Sequence, residues 1–179
     1  MGALSADPSQ AVKTAPRIGQ VLKSEPDYVP ALQALAVIDG QKADFRAAKE
    51  VYEKALGIYP DFTPAKRSLA ILYAENPSDD QKAYNLAVKA REAFPDDPEL
   101  AKAFGIIVYR QGNLARAADL LQESAAKRTD DAVLWYYLGM TQHRLKGETA
   151  GRDALQRALD LNVQTDLAME ARRILAESK

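Results

Sequence analysis

Apolar and small residues recur along this chain every three or four positions, in segments of about a dozen residues parted by short polar turns, which is the pattern of amphipathic α-helices. The stretch ELAKAFGIIVYRQ shows it, followed by Gly112-Asn113 and then by LARAADLLQESAAKR. Glycine suits the left-handed exit of a first helix, and asparagine caps the start of a second, so the spacing predicts helix, turn, helix. Val, Ile and Thr nowhere alternate as a strand requires, which points to an all-α chain.

The same unit repeats. Pro26, Pro60, Pro95, Thr129 and Val163 follow one another at 34, 35, 34 and 34 residues. Ala55, Ala90, Ser124 and Ala158 are spaced 35, 34 and 34, and Ala36, Ala70, Gly105 and Gly139 are spaced 34, 35 and 34. The extra residue falls near AENPSDDQK, where Asn76-Pro77 breaks a helix. Small residues also mark the second helix of each unit, at Ala48, Ala83, Ala117 and Gly151. Such positions let two helix axes approach closely.

These residues resemble the tetratricopeptide-repeat (TPR) motif. Trp135, Leu138 and Gly139 in LWYYLG match its start, and Ala48, Tyr52, Ala55 and Pro60 in AAKEVYEKALGIYP its end. Leu69, Ala70, Tyr73, Ala83, Ala90 and Pro95 match in the second unit, with Phe104, Gly105, Gly112, Ala117 and Leu121 in the third. The resemblance covers residues 29 to 163. Asp39 and Gln142 depart from it where an aromatic is preferred, Ser124 replaces an alanine, and Gly151 weakens its helix by ~1 kcal/mol relative to Ala. The resemblance implies a right-handed superhelical solenoid of antiparallel helix pairs, with four units at 29–62, 63–97, 98–131 and 132–164. Short repeats of this look also resemble bacterial TPR proteins, some of which act at the cell envelope.

Beyond the repeats, TDLAMEARRILAES reads as a closing helix over 165–179, with Thr165 or Asp166 as its cap and Leu167, Ala171, Ile174 and Leu175 on one face. A solenoid needs such a polar-backed helix to cover its last core face. Residues 1–28 read as an incomplete repeat or atypical cap, starting at Asp7-Pro8 and carrying Ile18, Val21 and Leu22, with a kink expected at Pro16.

Composition removes most chemistry. With 24 basic and 25 acidic residues spread along the chain, no polybasic footprint invites nucleic acid or an anionic membrane. Cysteine is absent, which excludes disulfides, thiolate metal sites and thiol nucleophiles. His143 is the only histidine and reads as a surface residue. The pairs Asp79-Asp80, Asp96-Asp97 and Asp130-Asp131 stand at turns before helices, where capping accounts for them. No phosphate-cradling loop, nucleophile elbow or HExxH motif occurs. No catalytic residue, cofactor or metal is expected. No apolar run reaches the roughly 20 residues of a membrane span, no secretory leader is legible, and Ala6 breaks the myristoylation pattern that Met-Gly begins. The expectation is a soluble protein, cytoplasmic or periplasmic.

In the resembled fold, first helices line a concave groove. By register these positions are Gln33, Val37 and Gln41 in unit one and Arg67, Ser68, Ile71 and Glu75 in unit two. Unit three adds Lys102, Ile106, Tyr109 and Arg110, and unit four Tyr136, Tyr137, Met140, His143 and Arg144. An apolar stripe beside basic and tyrosine side chains suits a protein or peptide with apolar anchors and some acidic character. The alternative is a spacer or self-associating segment of a larger protein. The two-carboxylate clamp by which some TPR proteins hold chaperone tails is not present as a set. Arg67 and Lys102 offer charge, but Ala34, Val37, Ser68, Ile71 and Ala103 stand where asparagines are needed.

Overall fold

A computed structural model describes the backbone of residues 8–177 and the side chains of 14–177. It contains ten helices among the described residues. The first, α1 (Pro8–Ser24), precedes four antiparallel pairs: α2 (Val29–Gln41) with α3 (Phe45–Ile58), α4 (Thr63–Glu75) with α5 (Asp80–Ala93), α6 (Pro98–Arg110) with α7 (Leu114–Ala125), and α8 (Ala132–Arg144) with α9 (Glu148–Asp160). The last helix, α10 (Thr165–Glu177), packs on α8 and α9. The pairs stack into a solenoid, each helix joined to its partner and each pair to the next through α3 on α4, α4 and α5 on α6, and α6 and α7 on α8. No helix among the described residues is long and apolar enough to cross a membrane.

The pairs close because their crossing points carry almost no side chain. Ala36 and Ala70 are buried at the first two crossings, and Gly105 and Gly139 take the same place in α6 and α8. A methyl on Gly105 would meet the Leu121 side chain at 2.7 Å. One on Gly139 would stand 2.8 Å from the backbone nitrogen of Leu155, and one on Gly151 would stand 2.9 Å from that of His143. Gly151 therefore does more than weaken α9. Its missing side chain is what lets α9 reach α8. Around these crossings a continuous core runs from α2 to α9 through Leu69, Leu100, Phe104, Ile107, Leu121 and Leu134. A second cluster joins Tyr136, Met140 and Leu155 to Ala168, Ala171 and Ile174 of α10.

The turns follow from capping. Asp44, Asp79, Asp97, Asn113 and Asp131 each accept a backbone N–H of the helix they precede. The turns within pairs two and four differ as the spacing implies: Asn76–Asp79 spans one residue more than Leu145–Gly147. Gly112 leaves α6 with φ of 82°. Ala43 and Lys146 occupy the corresponding turns with φ of 59° and 61°, without glycine's freedom.

Pro16 lies inside α1, which runs without a break from Pro8 to Ser24. One local expectation changes. Thr165 and Asp166 already belong to α10, since Ala168 N–H donates to the Gln164 carbonyl at 2.8 Å and the helix starts earlier. Asp7, the other half of the expected first helix start, lies outside the described residues.

Replacing Gly139 or Gly151 by alanine should lower the unfolding free energy by about 1–3 kcal/mol, because backbone cannot yield as a side-chain tip can. Gly57, in α3, faces open space. Gly57→Ala should raise stability by about 0.4–1 kcal/mol. Urea melts of the three variants check the contrast; equal shifts of one sign would contradict it.

Candidate functional site: the concave groove

The concave side holds a groove with two lobes. The larger, about 600 Å³, is bounded by Phe45, Ile71, Glu75, Ala103, Ile106, Val133, Tyr137, Gln164 and Leu167, with Lys102 on one wall. The smaller, about 290 Å³, is bounded by Val37, Gln41, Tyr52, Arg67, Ser68 and Glu99. Phe45, Ile71 and Glu75 border both. Superhelical curvature thus brings the start of α3 and the start of α10 onto one cavity. Most of its lining is apolar, with Glu75 and Lys102 as its charged residues.

Of the register-based positions, Val37, Gln41, Arg67, Ser68, Ile71, Glu75, Lys102, Ile106 and Tyr137 line these lobes. Gln33, Tyr109, Arg110, Tyr136, Met140, His143 and Arg144 line neither. Tyr136 and Met140 are buried with residues of α10, which covers that end of the solenoid. The Tyr136 hydroxyl donates to Glu170 at 2.6 Å. Burial and that carboxylate raise the Tyr136 pKa well above the ordinary phenol value, so it stays a donor. Tyr109 packs edge-on to Tyr137 at 5.5 Å, with the Arg144 guanidinium 5.0 Å from its centre. Arg110 turns to the neighbouring pair, where it donates to Asp80 at 2.7 Å and to the carbonyls of Ala74 and Tyr73.

The groove's cations are already engaged. Arg67 donates to Asp97, and to Glu99 at 3.0 Å. Lys102 donates to Asp131 at 2.8 Å, and Arg128 reaches the same carboxylate at 3.1 Å. Asp97 and Asp131 also cap α6 and α8, accepting from the amides of Leu100 and Leu134. Each therefore ties a first helix to the start of the next. Burial by itself would raise both pKa values, but the hydrogen bonds and charges of Arg67 and Lys102, with the capping amides, hold both carboxyls below the ordinary range. The side chains of Lys102 and Asp131 are only 11% and 10% exposed, so neither charge can turn to water if its partner is lost.

Phe45, Val133, Gln164 and Leu167 were not among the register-based positions. Phe45 opens a second helix rather than lying on a first one, and it keeps 36% of its surface exposed. Val133 and Leu167 stand one 34-residue period apart, a signal present in the sequence. Trp135 packs as the motif implies: its indole donates to the Thr129 carbonyl at 3.1 Å, and Arg157 lies 4.3 Å from its ring. Among the described residues, no group of three or more His, Asp or Glu side chains is placed to hold a metal ion.

No family model matches this chain. It is 28% identical over 116 residues to a TPR repeat-containing protein of Pseudomonas aeruginosa. That match takes in 65% of this chain and only 20% of the relative, so the chain spans about one fifth of the relative's length. Among solved structures it is similar to YrrB, described as a TPR protein with an unusual peptide-binding site, at a TM-score of 0.70 and 18% identity over 92% of this chain and 84% of that one. It is also similar to MamA of Desulfovibrio magneticus RS-1, at a TM-score of 0.69 and 13% identity over 90% of this chain and 98% of that one. The fold is thus the TPR-like solenoid.

Asp131→Asn keeps a capping oxygen but strands the Lys102 charge. The variant should lose on the order of 2–4 kcal/mol of stability at neutral pH. A depressed folded-state pKa contributes stability that is present above the unfolded value of about 3.9 and is lost as pH falls through the folded value. The gap between wild type and variant should therefore close as pH drops below about 4. Urea melts across that range check it; a gap independent of pH would contradict the ion-pair account.

Proposed function

This chain is a repeat protein of the TPR-like fold, and we propose that it is a non-catalytic scaffold that holds a segment of another protein in its concave groove. The observation that carries this reading is the two-lobed cavity, whose walls combine apolar side chains from α3, α4, α6, α8 and α10 around Ile71, Tyr137 and Leu167. A peptide with apolar anchors would bury that surface, and an aromatic anchor beside Tyr137 would gain further contact. The similarity to YrrB supports a peptide ligand, since that protein is described as having a peptide-binding site.

Charge refines the expected partner. Acidic groups were a natural match for Arg67 and Lys102, but both are bound to carboxylates of the chain itself. Recruiting either would mean breaking a partly buried ion pair. The same pairing argues against chaperone-tail recognition, which draws on free groove cations. Affinity is accordingly assigned to apolar contact, with a weak dependence on salt.

Phe45 is the least disruptive place to test this, because it borders both lobes and belongs to neither core cluster. Peptides selected from a random display library should bind the wild type and lose at least about tenfold in affinity to Phe45→Asp, the scale of one lost apolar anchor. Arg172→Glu, on the exposed face of α10, should leave binding unchanged. Fluorescence anisotropy with circular dichroism as the folding check decides it. Binding indifferent to Phe45→Asp would favour the spacer or self-association reading.

A further inference from the structure

The wall shared by the two lobes carries a charge that the chain does not satisfy. Glu75, in the last turn of α4, has no hydrogen-bond or ion-pair partner among the described residues, while the other charged groups of that wall are paired. Arg67 is held by Asp97 and Glu99, and Lys102 and Arg128 by Asp131. The two cations that line the lobes, Arg67 and Lys102, are thus both taken up by carboxylates of the chain, and Glu75 is left without a partner. Glu75 stays exposed at the border of the two lobes; partial desolvation there raises its pKa, Lys102 opposes this with its positive charge, and Glu99 and Asp131 add to it. Lys102 is directed elsewhere, at 2.8 Å from Asp131.

The surroundings specify what would complete the pair. Phe45 borders the same two lobes as Glu75, and Ile71 lies on the same helix one turn before it. A bare metal ion needs several ligands, and one carboxylate on an apolar wall offers too few. A lysine or arginine side chain suits the site better. Its aliphatic stem lies along apolar surface, its charge meets the carboxylate, and an aromatic ring nearby favours a cation. We propose that the segment held in the groove carries apolar anchors flanking a lysine or arginine, whose charge pairs with Glu75 beside Phe45. This rests on the groove reading above and adds the charge of the partner to it. Glu75 thereby selects against acidic partners, because a carboxylate placed there would meet Glu75 and Glu99 with no free cation in reach.

The test separates the two readings. A random-peptide display library is selected in parallel on the wild type and on Glu75→Lys, with circular dichroism confirming that both are folded. The wild-type pool should be enriched in Lys or Arg between apolar residues, and the Glu75→Lys pool should exchange them for Asp or Glu. Individual wild-type peptides should bind Glu75→Gln about two- to fivefold more weakly, a variant that removes the charge and keeps the shape. Pools with the same charge composition, both weakened by Phe45→Asp, would overturn the role of Glu75 and leave the groove reading standing. Pools indifferent to Phe45→Asp, or no binders from either selection, would overturn both.

Discussion

Everything in this solenoid depends on how closely the two helices of a pair can approach. At the crossings that distance is set by a missing or single-carbon side chain: Ala36 and Ala70 in two pairs, Gly105 and Gly139 in the others, with Gly151 answering Gly139 from α9. Once paired, the helices present continuous apolar edges to the next pair, and the core can run from α2 to α9 without interruption. The curvature of that stack then makes the groove. Phe45 and Leu167, from opposite ends of the array, border one cavity only because the intervening pairs are stacked tightly enough to bend around it.

The second element of the design is the economical use of charge. Asp97 and Asp131 each cap a helix and hold a cation from the preceding unit, so one carboxylate fixes both where a helix starts and how two units sit. The same arrangement removes Arg67 and Lys102 from the set of groups free to meet a partner. What remains facing the groove is apolar surface, tyrosine and the unpaired carboxylate of Glu75. A surface of this kind gains affinity from exclusion of water and uses charge to choose among partners.

Much of this was legible in the sequence, because its signals are local or strictly periodic. The spacing of Ala36, Ala70, Gly105 and Gly139 marks the crossings, Asn113 and the aspartate pairs mark helix starts, and the extra residue near Asn76-Pro77 appears as the longer turn of the second pair. What escaped depends on contacts between units. Arg67 and Lys102 read as free cations because their partners lie 30 and 29 residues away. Tyr136 and Met140 read as groove positions by register, but α10 takes the place of a further unit and buries them. Phe45 sits outside the first helices and so outside the register argument. The left-handed turns at Ala43 and Lys146 were equally invisible, since neither residue type announces that conformation as Gly112 and Asn162 do.

The claim that the concave groove holds a protein segment can be tested where the partner is present at its natural concentration. A photo-crosslinking amino acid placed at position 45, at 137 or at 172 would report, by mass spectrometry after illumination of source cells, which face touches another protein. The account predicts a shared crosslinked partner at 45 and 137, borders of one groove, and none of it at 172. The same partner captured from position 172 alone, with positions 45 and 137 empty, would contradict it.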